Sequence, residues 1–166
     1  MTVSSTFDVI DAALGLDRLP DLKALRERRP NLKHLSQTSY EAALRPAQRG
    51  NFSYALRAAL AARMAALWKS EELVAHYGIL IGEEDADARK LADPEFVAPE
   101  GDARLAAILA HVNLVTLSPK QATRANIDRL YAAGLDDRDI VTLAGLIAFV
   151  NYQVLVVAGL KMLRDN

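Results

Sequence analysis

No cysteine occurs anywhere in the 166 residues. That absence excludes disulfides, thiolate metal sites and thiol nucleophiles, and it fits a reducing compartment, so a cytoplasmic setting is expected. Strand signals are equally scarce. Alternating β-branched runs bounded by Asn-Gly or Asp-Gly turns are missing, while Ala and Leu dominate most segments, so the chain reads as all-α. Neither sign of charge prevails: 20 Lys and Arg against 21 Asp and Glu leave a net charge of -1, which supplies no field to gather nucleic acid or anionic lipid. The opening MTVSSTFDVIDAAL has no basic stretch and is interrupted by Asp8 and Asp11, so no secretory signal is expected.

What is present is a helical pattern. At 51% apolar and 25% charged, residues 1–166 are expected to form one compact domain. A first helix is predicted over Phe7 to Leu14, capped by Ser5 or Thr6 and stopped by Gly15; a second over Pro20 to Arg29, ended by Pro30. The third spans Leu32 to Leu44, with Leu35, Tyr40, Ala43 and Leu44 on its buried side. Ser53 caps a helix to Trp68 whose core face carries Leu56, Leu60, Met64 and Leu67, and Ser70 with Glu71 and Glu72 opens another that reaches Ile81. From Glu83 to Asp102 the composition turns acidic and Pro-containing, a connection with one helical turn near Asp87 to Leu91 that divides the domain into two helical halves. Beyond it, Ala103 to Val115 is helical, Thr123 caps Arg124 to Ala133, Gly134 suits a left-handed stop and Asp136 caps a long final helix. The uncharged run Ile140 to Leu160 is long enough for a membrane span. Asn151, Tyr152 and Gln153 at its centre favour a core helix, partly at a subunit interface, and no membrane contact is expected.

The segment LSPKQATRANIDRLYAAGLDDRDIVTLAGLIAFVNYQVLVVAGL resembles the carboxymuconolactone decarboxylase and alkyl hydroperoxidase D-like (AhpD-like) superfamily, especially its peroxidase-related branch. The elements that carry the resemblance are Thr123 with Ile127, Ala133 to Leu135, and Phe149 with Asn151 and Tyr152, and it extends back through LRAALAARMAALWKSEELVAHY. It implies a multi-helix bundle and homo-oligomers. Redox members of that superfamily use a glutamate, a Cys-x-x-Cys pair and, four residues later, a histidine. With His76 set on that histidine, the cysteine positions hold Lys69 and Glu72 and the glutamate position falls near Arg57. Neither lysine nor glutamate supplies an activated or resolving thiol, so the resemblance implies a protein without dithiol peroxidase activity.

Residues 69, 72 and 76 are spaced for one helical face, which would gather an amine, a carboxylate and an imidazole into an acid–base set. Lys69, Glu72 and His76 are therefore the candidate catalytic residues, with Arg57, Trp68 and Asn151 as candidate substrate contacts. The plainer alternative is solvated or ion-paired side chains at a helix start, Glu72 pairing with His76 or Arg57. No metal or other cofactor is expected: Glu72 and His76 are one residue too far apart for the Glu-x-x-His of bundle di-iron sites, and His34 and His111 lack carboxylates at helical spacing. The basic stretch of Lys23, Arg26, Arg28, Arg29 and Lys33 is interspersed with Asp21 and Glu27 and lacks interleaved aromatics, so nucleic acid is not expected as a partner. Two functions follow: a small-molecule-binding or partner subunit, and a non-redox lyase or isomerase with His76 as general acid or base on a carboxylated small molecule.

Overall fold

A computed structural model describes residues 8–82 and 85–165. Among the described residues the all-α expectation holds, with nine α-helices and no strand: α1 Val9–Leu14, α2 Pro20–Glu27, α3 Pro30–Leu44, α4 Tyr54–Leu67, α5 Glu71–Ile81, α6 Ala86–Leu91, α7 Ala103–Leu117, α8 Arg124–Ala132 and α9 Asp137–Arg164. The bundle is built around α4. Residues 57–65 of that helix are all buried, because α5, α6, α7, α9 and α3 surround it. Ala58, Ala59, Ala61, Ala62 and Ala65 make this possible, since a helix with little side chain lets its neighbours approach on every side. The core face expected from Leu56, Leu60, Met64 and Leu67 is thus too narrow: Leu60 and Met64 are fully buried, whereas Leu56 and Leu67 are only partly so.

Most caps are set locally. Ser53 Oγ accepts from the Leu56 amide at 3.1 Å, Asp102 from Leu105 at 2.9 Å and Asp136 from Asp139 at 2.8 Å, each satisfying an amide that the first helical turn leaves free. Asp8, not Ser5 or Thr6, caps α1; both of those residues and Phe7 lie outside the described residues. Pro30 does more than end α2, since it is the first residue of α3, where its missing N–H is no loss. Ser70 occupies the N-cap of α5 without a capping side-chain bond. Gly134 has φ 83°, with Gly134 N–H to Tyr131 O at 2.9 Å and Leu135 N–H to Leu130 O at 3.1 Å. This is a Schellman motif, and buried Leu130 and Leu135 complete it.

Two elements reach across the core. The 28-residue α9 packs on α4, α3 and α7, and its Gln153 is buried and accepts from the Tyr77 hydroxyl of α5. Arg63 of α4, 2% exposed, donates to the carbonyls of Leu91, Asp93, Pro94 and Phe96 and to Asn113 Oδ1. One guanidinium therefore holds the connection between the two helical halves against the central helix.

Candidate functional site

The turn from α4 to α5 determines where the first two nominated residues go. Lys69 N–H bonds Ala66 O at 2.9 Å and Ser70 N–H bonds Ala65 O at 2.9 Å, so α4 also ends in a Schellman motif, with Lys69 at the left-handed position (φ 57°) that usually belongs to glycine. This corrects the helical spacing expected of residues 69, 72 and 76: Lys69 lies in an exposed turn, and α5 starts only at Glu71. Glu72 reaches outward to α9, where its Oε1 lies 2.7 Å from Lys161 Nζ. Burial pushes the Glu72 carboxyl up, but the Lys161 contact outweighs it and leaves the carboxyl below its ordinary range.

His76 turns instead toward α3. Its Nε2 lies 2.9 Å from the Tyr40 hydroxyl, and its ring packs against Tyr40 and Tyr77. Burial lowers the His76 pKa and pushes that of Tyr40 up to about 12, so both groups are neutral at pH 7. Each of the three nominated catalytic residues thus has its own surroundings: solvent for Lys69, Lys161 for Glu72 and Tyr40 for His76. No hydrogen bond or ion pair joins any two of them.

Trp68 and Asn151 are brought together. The indole Nε1 donates to Asn151 Oδ1 at 2.7 Å while Asn151 Nδ2 donates to Ile147 O at 2.9 Å, a bond that ties the end of α4 to the middle of α9. Arg57 is 4% exposed. It donates from Nε to Phe52 O (3.1 Å), from Nη1 to Ala43 O (2.9 Å) and from Nη2 to Arg49 O (3.0 Å), pinning the loop between α3 and α4. Burial lowers its pKa.

A groove lies away from His76. Helices α3 and α9 are joined midway by the Ser36 Oγ to Tyr152 hydroxyl bond (2.8 Å), and Asn51 of the loop after α3 donates to Asp139 in the first turn of α9 (3.1 Å). Between them is an open groove of 610 Å³. Leu32, Leu35, Leu146 and Phe149 give it apolar walls, and Ser36 and Tyr152 supply hydroxyls. Of the six nominated residues only Arg57 lines it. Leu35 belongs to this surface and not to the core, with 59% of its area exposed. A smaller depression of 430 Å³ between α4, α6 and α7 contains none of the six. Sequence reasoning missed Tyr40 as the partner of His76 and missed the groove itself. Its signal was present in α3 and α9 as Leu32, Leu35, Ser36 and Ser39 and as Gly145, Phe149 and Tyr152, spacings that mark one face of each helix.

Among the described residues no cluster of three or more His, Asp or Glu is arranged to hold a metal. No family model and no curated protein matches the chain. In three dimensions it is similar to an uncharacterized peroxidase-related protein from Silicibacter sp. TM1040, with a TM-score of 0.67 and 20% identity over 77% of this chain and 67% of that one, so the peroxidase-related fold implied by the sequence resemblance is the fold observed.

Proposed function

We propose that this chain is a non-peroxidatic member of the carboxymuconolactone decarboxylase and AhpD-like superfamily, working as a small-molecule-binding subunit of a cytoplasmic homo-oligomer. The observation that carries the reading is the α3–α9 groove, whose 610 Å³ is the size of a small-ligand site and whose walls are apolar with a few hydroxyls. The chemistry of the two cysteine positions agrees with it: Lys69 stands in a turn and Glu72 in an ion pair, and neither can form or resolve a sulfenic acid. The lyase reading lacks comparable support, because His76 faces Tyr40 and lines neither concavity.

Assembly is supported by the outer face of α9. Leu155 (56% exposed) lies on it and Val141 (72%), which also lines the groove, lies at its edge, an apolar stripe exposed to solvent in the single chain. The length and composition of α9 would also suit a membrane span, but its inner face packs on α4, and Asn151 and Gln153 are both hydrogen-bonded within the bundle.

The test has two arms. With cumene hydroperoxide and dithiothreitol, consumption should not exceed the protein-free rate, and turnover would remove the non-peroxidatic assignment. With the neutral dye Nile red, fluorescence should rise on binding and the rise should disappear in Gly145→Phe. Gly145 lines the groove, and a Cβ added there meets no atom within 4 Å, so a larger side chain can start there and occupy the groove, with unchanged helical circular dichroism as the check on the fold. Dye binding that ignores this substitution would place the ligand site elsewhere.

A further inference from the structure

Arg57 is the one charged side chain lining the α3–α9 groove. A guanidinium has five N–H donors, and three are engaged by the carbonyls of Phe52, Ala43 and Arg49. Two remain without an acceptor. The Phe52 ring lies 5.9 Å from its guanidinium carbon, but no carboxylate pairs with this cation among the described residues, although it is 4% exposed, and a buried charge is costly unless it is paired. Carbonyl dipoles alone do not make a ligand site: Arg63 is held by carbonyls in the same way, yet it lines neither concavity. The difference is that Arg57 stands beside open space, at the end of the groove formed by Ala43, Pro46 and Gln48.

Resting on the ligand-binding reading above, we propose that the groove takes an amphipathic monocarboxylate, with its carboxylate on the free N–H groups of Arg57 and its apolar body along Leu35, Leu146 and Phe149. Charge complementarity selects the class. A single cation is balanced by a single anionic charge, whereas a phosphate monoester carrying nearly two would bring a surplus into a poorly solvated end of the groove. The planar guanidinium also matches the two oxygens of a carboxylate. Apart from the uncharged Gln48 amide the remaining lining is apolar or hydroxylic, which suits a medium-length acyl chain or an aromatic ring and supplies no second cation.

The experiment is calorimetric titration of the full chain with octanoate, octan-1-ol and octyl phosphate, repeated on Gly145→Phe and Arg57→Lys. Octanoate should bind roughly tenfold or more tightly than octan-1-ol, and tighter than octyl phosphate. Gly145→Phe should abolish binding of all three. Arg57→Lys should weaken octanoate by roughly tenfold while leaving octan-1-ol unchanged; because that variant orphans two of the loop carbonyls and can fail to fold, Gly145→Phe, which keeps Arg57 and its contacts, tests the location independently. Equal affinity for octanoate and octan-1-ol would overturn the carboxylate proposal and leave an apolar ligand groove standing. Tighter binding of octyl phosphate would overturn the choice of anion. Octanoate binding that survives Gly145→Phe would remove it from the groove, and failure of all three together with Nile red would overturn the groove as a ligand site.

Discussion

Burial pushes the Asp139 carboxyl up, yet the Arg104 guanidinium at 2.7 Å and the Asn51 amide at 3.1 Å outweigh that effect and hold it below its ordinary value of 3.8. A carboxyl depressed in the folded state adds stability above its unfolded pKa and loses it as the pH falls through the folded value. Asp139→Asn should therefore lower stability near neutrality by about 2–4 kcal/mol, and its urea midpoint should change less than that of the wild type on acidification below about pH 4. His76 has the same sign for another reason. Burial lowers its pKa from 6.5, so below that value the unfolded chain takes up a proton that the folded chain refuses, and stability falls as the pH drops. His111 is lowered in the same direction, so the contribution of His76 is read as a difference. Urea unfolding at about pH 7.5 and about pH 5.5 should show a smaller loss for His76→Gln than for the wild type, and an unchanged loss would mean that His76 keeps its ordinary pKa. The residues nominated from sequence were found in less cooperative surroundings than their spacing promised. Helical spacing is local information, whereas the partners of His76 and Glu72 come from α3 and α9, and no pattern within α5 names them.

At the scale of elements, two of the left-handed helix stops make a matched pair. α8 ends on Gly134 and α4 on Lys69, with φ of 83° and 57° and the same Schellman hydrogen bonds. A Cβ in that conformation costs about 1–2 kcal/mol, part of which glycine returns as unfolded-chain entropy. Lys69→Gly should accordingly stabilise the protein by about 0.5–1 kcal/mol and Gly134→Ala should destabilise it by about 1 kcal/mol, opposite shifts that one thermal melt of each variant will show. Gly134 was legible in the sequence because glycine announces the turn, while Lys69 was not, because lysine reads as an ordinary helical residue. The same asymmetry runs through the fold. Asp136, Ser53 and Pro20 stood where caps and first turns are expected and were found there, whereas Asp102, read as the end of a connection, also proved to be a cap. Pro30 and Leu35 were misplaced because a proline that ends one helix also begins the next, and because a leucine lining an exposed groove has the same periodicity as one in the core.

At the scale of the whole molecule, the exposed apolar stripe of α9 predicts self-association. Light scattering at micromolar concentration should report an oligomer, and Leu155→Glu, which places a charge on the stripe without touching the core, should convert it to monomer with unchanged helical circular dichroism; a wild-type monomer would contradict the assembly proposed. The central position of α4 has a further consequence for how the chain comes to be folded. α4 ends at Leu67 and α9 begins only at Asp137, so the helix that five others surround is synthesised well before the longest helix that covers it. Its contacts with α5 are local and can form early, but those with α9 must wait. Until then the emerging chain presents an incompletely covered alanine-rich helix to the cell, and nascent-chain proteolysis should find full protection arriving late, once residues of α9 have cleared the ribosome.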